Sequence, residues 1–444
     1  MRQSLLARLR AGEDPFPGIL GFGETVLPHL ERALIAGHDV ILLGERGQGK
    51  TRLIRTLTGL LDEWSPVITG CEINDHPYAP VCTRCRRLAS ELGEDLGVSW
   101  HHRSERYGEK LATPDTSVGD LIGDIDPVKV AEGRTLGDPE TIHYGLVPRT
   151  NRGIFCMNEL PDLAERIQVS LLNVLEERDI AVRGYALRLP LDLILIASAN
   201  PEDYTNRGRI ITPLKDRFGA EIRTHYPLTL EAELAVIRQE ASIAWGGQAP
   251  GAVLPEHLTE VIARFTRLVR ASPAVDARSG VSARFAIAAA EAVVAAAVRR
   301  AAISGEEQPV ARICDLPAII TTLRGKVEFE VSEEGREGEV LEHLMRRAIA
   351  DTFRARLGSA DMTGLLDRFA EGRMVESGDL LPAAELLRRI GDVPGLAKIM
   401  ERLDMAGGES FGQAAAALEF SLEGLYLMRR LSKDVVDGTA VYRS

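Results

Sequence analysis

Three sets of residues in this chain have the types and spacing that chemistry requires. The first is Gly44-Glu45-Arg46-Gly47-Gln48-Gly49-Lys50-Thr51. Its glycines allow the backbone to curl so that N–H groups point inward at phosphate oxygens. Lys50 could then reach the β- and γ-phosphates, and the Thr51 hydroxyl could ligate Mg²⁺. The second set is Asn158-Glu159, Asn200 and Arg217. A carboxylate and two amides at strand ends can hold a metal shell and activate a water, and a guanidinium matches phosphate geometry. The third is Cys71, Cys82 and Cys85, with His76, His101 and His102 nearby. Cys-x2-Cys is the usual half of a zinc site, and Cys71 with one of the histidines would complete four ligands. Free thiols in a loop are the alternative.

The elements that must carry these residues are legible around them. Val40-Ile41-Leu42-Leu43 is a short apolar strand before the glycine loop, and Arg52-Leu53-Ile54-Arg55-Thr56-Leu57 has helical apolar spacing after it. Strand, loop and helix in that order confirm the phosphate-binding motif. Ile154-Phe155-Cys156-Met157 reads as a buried parallel strand that delivers Asn158-Glu159 to a ligand, and Leu191 to Ala199 as another that ends at Asn200. Asn158 stands where an Asp would add a negative charge to a magnesium shell, so weak Mg²⁺ retention or slow hydrolysis is expected. The plainer readings are a helix cap for Asn158-Glu159, a strand-end turn for Asn200, and a surface pair with Asp216 or another carboxylate for Arg217. An amphipathic helix over Leu163–Glu177 and a β-hairpin around Gly184 lie between the two strands. Near the start, Phe16-Pro17-Gly18-Ile19-Leu20-Gly21 before a helix over Thr25–Ala36 makes either an adenine seat or simple N-terminal packing. Residues 70–118 read as an irregular insert.

From Leu228 the pattern turns helical, and an Ala-rich helix over Ser282–Ile303 carries Arg284 in its first turn. A cation there is electrostatically unhelpful to the helix, which points to an anionic ligand. Further helices follow over 340–357, 362–370, 381–390, 393–404 and 411–431. The 444 residues exceed one compact core. A formal net charge of -12 argues against a surface built to coat nucleic acid. No apolar run has the length of a membrane span and the N-terminus lacks a signal-peptide core, so a cytoplasmic protein with reduced cysteines is expected.

The order of these parts resembles an AAA+ ATPase, and more narrowly the magnesium-chelatase ATPase-subunit and MoxR branch. The resemblance spans roughly residues 15–325 and is carried by Phe16-Pro17 with Leu20-Gly21, Gly44–Thr51, Gly145-Leu146-Val147-Pro148-Arg149-Thr150-Asn151-Arg152-Gly153-Ile154, Ala199-Asn200-Pro201 and Leu214-Lys215-Asp216-Arg217-Phe218. It implies an α/β fold: an AAA+ P-loop core over 1–226 (a parallel sheet flanked by helices), an all-α lid over 227–325, and a helical C-terminal region over 326–444. It implies Walker A at Lys50 and Thr51, Walker B at Asn158 and Glu159, sensor 1 at Asn200, an arginine finger at Arg217 and sensor 2 at Arg284. It further implies ATP and Mg²⁺ as cofactors, a hexameric ring, and a partner bearing a von Willebrand factor A domain. The function expected is an ATP-hydrolysing motor that remodels or activates a protein partner. The alternatives are a chelatase subunit that drives Mg²⁺ or Co²⁺ into a tetrapyrrole, and a nucleotide-gated regulatory module with little turnover.

Overall fold

The computed structural model describes every residue except 132–138, 177–179, 183–184, 188, 202–208, 244–250, 277–279, 371–373, 379, 406–409 and 437–438. The chain divides into two compact units, Met1–His225 and Tyr226–Ser444.

The first unit is built on a parallel sheet of five strands: β1 (Val40–Leu43), β2 (Tyr107–Leu111), β3 (Ile154–Asn158), β4 (Ile194–Ala199) and β5 (Ala220–Arg223). Their order across the sheet is β5-β1-β4-β3-β2. The side-chain period of two divides each central strand between two cores. Ile41, Leu43, Phe155, Met157, Leu195 and Ala197 face one, where helix Glu165–Glu176 adds Ile167, Leu171 and Val174. Val40, Leu42, Ile154, Cys156 and Ile196 face the other. There the helix Val26–Ala36 contributes Leu27, Leu30, Ala33 and Leu34 at helical spacing, and the helix Lys50–Thr56 adds Leu53 and Ile54. Burial on both faces explains why β1, β3 and β4 read as unbroken apolar runs.

The expected irregular insert over 70–118 is ordered, and it contains β2, an edge strand of the main sheet. Its sequence Tyr-Gly-Glu-Lys-Leu is polar because only one of its edges is paired, which hid it from an apolar-run search. Trp64–Ile68 and Val98–His102 pair antiparallel beside it, and Thr83–Leu92 is helical. The edge strand β5 was likewise not anticipated. Gly123–Ile125 pairs with Ile142–Tyr144, and Ile180–Val182 with Tyr185–Leu187, which gives the hairpin expected around Gly184; the turn itself lies outside the described residues.

The second unit is largely helical, as expected, and the described boundaries follow the apolar periodicity. Its Ala-rich helix spans Ala283–Ser304 and buries Ala286, Ala289, Ala290 and Ala297. One hydrophobic cluster runs from Leu234 to Tyr442, so the expected boundary between lid and C-terminal region near 325 falls inside a shared core. The tail is also not purely helical. Its helix from Phe411 ends at Leu427, and Val375–Ser377, Thr439–Arg443 and Ser432–Val436 form a small antiparallel sheet. These strands are three to five residues long and carry neither an apolar run nor strict alternation, a weak signal beside strong helices. Buried charge is paired here: Arg300 bonds Asp315 through Nε (3.2 Å) and Nη2 (3.1 Å), and Arg312 lies 3.5 Å from Glu419.

Where β2 meets β3, Gly153 allows backbone to approach backbone. A Cβ at Gly153 would lie 1.9 Å from the Arg106 carbonyl oxygen, an atom that cannot swing away. Gly153→Ala is therefore expected to lower unfolding stability by about 3 kcal/mol, whereas Gly23→Ala, which meets nothing within 4 Å, stays within about 0.5 kcal/mol of the parent. Denaturant unfolding of both variants measures the difference.

Candidate nucleotide site

The C-terminal ends of β1, β4 and β3 lie side by side, and each delivers a polar residue to one place. At the end of β1 the loop Gly44–Gly49 is shaped by its glycines. Gly47 and Gly49 have φ of 72° and 81°, where a side chain would be strained, and a Cβ on Gly44 would lie 2.0 Å from Thr224 Oγ1. Thr224, just past β5, donates to Gln48 Oε1 at 2.6 Å and so ties the loop to the sheet. Glu45 and Arg46 form its outer curve, and Thr51 follows at the second residue of the helix, half-buried.

Lys50 is buried, and its ammonium is held inside this turn. It donates to the Gly44 carbonyl, to the Glu45 carbonyl at 2.9 Å and to Asn200 Oδ1 at 2.9 Å. The other end of the Asn200 amide donates to Glu159 Oε2 at 2.6 Å. Lysine, amide and carboxylate thus form one hydrogen-bonded chain across β1, β4 and β3. Glu159 reaches its place through a left-handed backbone, φ 53°, with its N–H donating to Ser198 Oγ at 3.2 Å. A non-glycine residue there costs of order 1 kcal/mol, and such residues cluster at functional sites.

Asn158 is also buried at this edge, with its amide engaged at both ends. Its Oδ1 accepts from Ser198 Oγ (3.2 Å) and Nδ2 donates to Glu109 Oε1 at 2.7 Å. Glu109, on β2, accepts from Arg55 Nε (2.9 Å) and Nη2 (3.1 Å) and from the Tyr107 hydroxyl (2.9 Å). Burial acts to raise the Glu109 pKa, but the bonds from Arg55, Tyr107 and Asn158 hold it below the usual carboxylate value. Sequence reading missed Glu109 because β2 itself was missed. Once the strand is placed, the two-residue offset in register (Glu109 opposite Cys156) puts its side chain on the face of Asn158.

The remaining expected residues fall as follows. Arg217 Nε and Nη2 bond Glu176 Oε2 at 2.7 and 2.6 Å, and Nη1 donates to the Pro213 carbonyl at 2.9 Å. Its carboxylate partner is Glu176. Leu20 and Gly21 form a turn between the buried Phe16 and Phe22, and Phe22 stacks edge-on against His225 at 5.2 Å. Arg284 is exposed at the second residue of its helix in the second unit. Cys71, Cys82 and Cys85 do converge, and the fourth member of the group is Asp75, not a histidine; the four ligand atoms lie within 4.8 Å of one another. His76 and His102 are engaged locally instead, His76 Nδ1 accepting from Tyr78 N–H at 3.1 Å and His102 Nδ1 lying 2.8 Å from Ser104 Oγ. Hydrogen bonds from the Cys82 and Cys85 thiols hold Cys71 far below the ordinary thiol value.

An Asp at 158 would face Glu109 directly, and Arg55 alone would offset two carboxylates. Asn158→Asp is therefore expected to lower thermal stability in Mg²⁺-free buffer by roughly 1–2 kcal/mol, and Glu109→Gln in the same chain to restore most of it. A double-mutant cycle by thermal unfolding checks this, and additive effects would contradict it.

Parts of the chain are similar to known proteins. A family model described as the Sigma-54 interaction domain matches residues 135–217, from before β3 to Arg217. The 38 kDa magnesium-chelatase subunit of Cereibacter sphaeroides is 28% identical over 236 residues, 50% of this chain and 62% of that protein. The magnesium-chelatase subunit ChlI of Cyanophora paradoxa is 30% identical over 51% of this chain and 63% of its own length. ChlI of Guillardia theta is 26% identical over 76% and 96%. The chain thus spans less than two thirds of the length of the first two. Among solved structures, a cryo-EM-based complex of magnesium-chelatase subunits BchI and BchD aligns with a TM-score of 0.38 and 20% identity, covering 74% of this chain and 98% of that one. These matches support an AAA+ ATPase related to the magnesium-chelatase ATPase subunits.

Proposed function

We propose that this protein binds ATP with Mg²⁺ at the β1–β4–β3 strand ends, hydrolyses it, and uses the cycle to remodel or activate a protein partner. The observation that carries the reading is the Lys50–Asn200–Glu159 chain. A glycine cradle with a buried ammonium at its base fits a polyphosphate, since the carbonyls that now hold Lys50 can be exchanged for phosphate oxygens. Thr51 has the hydroxyl, and stands at the position, to hold Mg²⁺, which when bound neutralises charge on the phosphate oxygens. Asn158 is neutral and already bonded, so it supports that ion weakly. Glu159 is the base that takes the proton of the attacking water, and Asn200 fixes its carboxylate and positions that water.

Arg217 completes the site in a neighbouring copy of the chain, which makes a ring (six-membered in the family resembled) the active form. The partner in this reading carries a von Willebrand factor A domain, and the protein works in the cytoplasm. The thiol cluster enters as a structural metal site, apart from the ATPase chemistry. A second reading, insertion of Mg²⁺ or Co²⁺ into a tetrapyrrole, is favoured by the chelatase relatives at 26–30% identity. Leu20-Gly21 and Arg284 are proposed to contact the nucleotide base and phosphates.

Lys50→Ala is expected to abolish the thermal stabilisation given by Mg·ATP. Glu159→Gln should keep that stabilisation and lose about 10²–10⁴-fold in phosphate release. Arg217→Ala should likewise bind and not turn over. Mixing Glu159→Gln with Arg217→Ala chains should recover part of the activity, because some interfaces then combine an intact Glu159 with an intact Arg217. Activity in Arg217→Ala alone, or no recovery on mixing under conditions where the ring forms, would reject the shared site.

A further inference from the structure

The loop from Ile68 to Cys85 turns three sulfurs and one carboxylate inward on a common point. Cys85 and Asp75 are 0% and 1% exposed, Cys82 6%, and Cys71 half-buried. Two of the sulfurs already accept backbone N–H groups, Asp75 N–H on Cys71 (3.4 Å) and Cys85 N–H on Cys82 (3.3 Å). Such bonds suit sulfur that carries negative charge. The carboxylate is the more telling group. Asp75 Oδ2 accepts from the N–H groups of Val81 (3.1 Å) and Cys82 (2.9 Å), while Oδ1 is buried and makes no hydrogen bond among the described residues. A buried carboxylate oxygen left unsatisfied is costly unless something cationic meets it, and one oxygen of this carboxylate lies within 4.8 Å of the three sulfurs.

We propose that Cys71, Asp75, Cys82 and Cys85 bind one divalent ion of the zinc class, with Asp75 Oδ1 as the fourth ligand, and that this ion is structural. Tetrahedral Zn–S bonds of ~2.3 Å put ligand atoms ~3.8 Å apart, a small contraction from the present spread. Three thiolates select zinc over Mg²⁺ or Ca²⁺, which take oxygen ligands. A disulfide fits the group poorly: three neighbouring thiols would leave one unpaired beside the orphaned carboxylate. The set has no open position, so the ion holds chain and not substrate.

What it holds is specified by the residues between the ligands. Ile73 O accepts from Asn151 Nδ2 at 3.0 Å, Asn74 Nδ2 donates to Arg149 O at 2.7 Å, and Arg152 Nη1 donates to Asn74 O at 3.1 Å. Residues 149–152 run straight into β3, whose end carries Asn158 and then Glu159. The ion therefore clamps the loop that braces the entry to β3, and its loss frees that brace without touching Lys50.

The test uses the full chain purified without chelator. About one zinc per chain is expected by elemental analysis, falling at least tenfold in Cys82→Ser and Cys85→Ser. Replacement by Co²⁺ should give sulfur-to-cobalt charge transfer with the strong d–d absorption of a tetrahedral site. Asp75→Asn should weaken the ion at least tenfold and shift the d–d bands while the charge transfer persists. Should a cysteine variant fail to fold, chelator competition on the unaltered chain reads the same affinity, and stripping should lower the melting temperature. Lys50→Ala should keep its zinc, which separates this proposal from the ATPase reading. No bound zinc and no cobalt spectrum, or a disulfide found by thiol counting, overturns the site. Unchanged affinity and bands in Asp75→Asn overturn the fourth ligand.

Discussion

The candidate site of the first unit is organised around one ammonium held inside a loop. Lys50 is 6% exposed, and a lysine that buried persists only where hydrogen-bond acceptors surround it. The Gly44 and Glu45 carbonyls meet part of that need because the glycine loop folds back over the side chain. Asn200 meets more, and Asn200 is itself held by Glu159. The sheet order makes this possible. With β4 between β1 and β3, the amide at the end of β4 touches both the lysine and the carboxylate. The Gly44, Glu45 and Asn200 oxygens on Lys50 are acceptors that a phosphate oxygen can replace, so a bound phosphate would exchange hydrogen bonds already made.

The neutral Asn158 takes on a different meaning beside its neighbour. By sequence it is an absent charge. In the structure a carboxylate is present one strand over, at Glu109, but Arg55 covers it from the helix that follows the phosphate loop. The edge of the site thus carries a Glu–Arg pair bridged to Asn158 by an amide, where a metal-binding aspartate would place an uncompensated negative charge. Arg55 is largely exposed, so the pair adds little stability and serves chiefly to cancel charge.

Sequence could reveal those parts of the site that rest on doubly buried strands. Val40–Leu43, Ile154–Met157 and Ile194–Ala199 are apolar on both faces, so they announce themselves and point at Lys50, Glu159 and Asn200. The edge strands β2 and β5 are half-solvated and read as loop, and with β2 the residue Glu109 was lost. The cysteines were visible by spacing, but Asp75 was not. A lone aspartate has no periodic signature, and its proposed part rests on a buried carboxylate that folding brings within 4.8 Å of three sulfurs. In the second unit, helices were legible by period, while the three short strands near Tyr442 were masked by stronger patterns around them.

Arg217 shows how a residue can be partnered and yet available. Its pair with Glu176 has short, well-formed bonds, but the two side chains are 29% and 53% exposed. Pairs in that setting contribute about 0–1 kcal/mol, because water and salt screen them and holding two long side chains costs entropy. A triphosphate offers several oxygens and more charge than one carboxylate, in a site that excludes water, where the same guanidinium interacts more strongly. Glu176 is the last described residue of its helix. The pair with Glu176 is thus weak enough for a more highly charged anion to displace it.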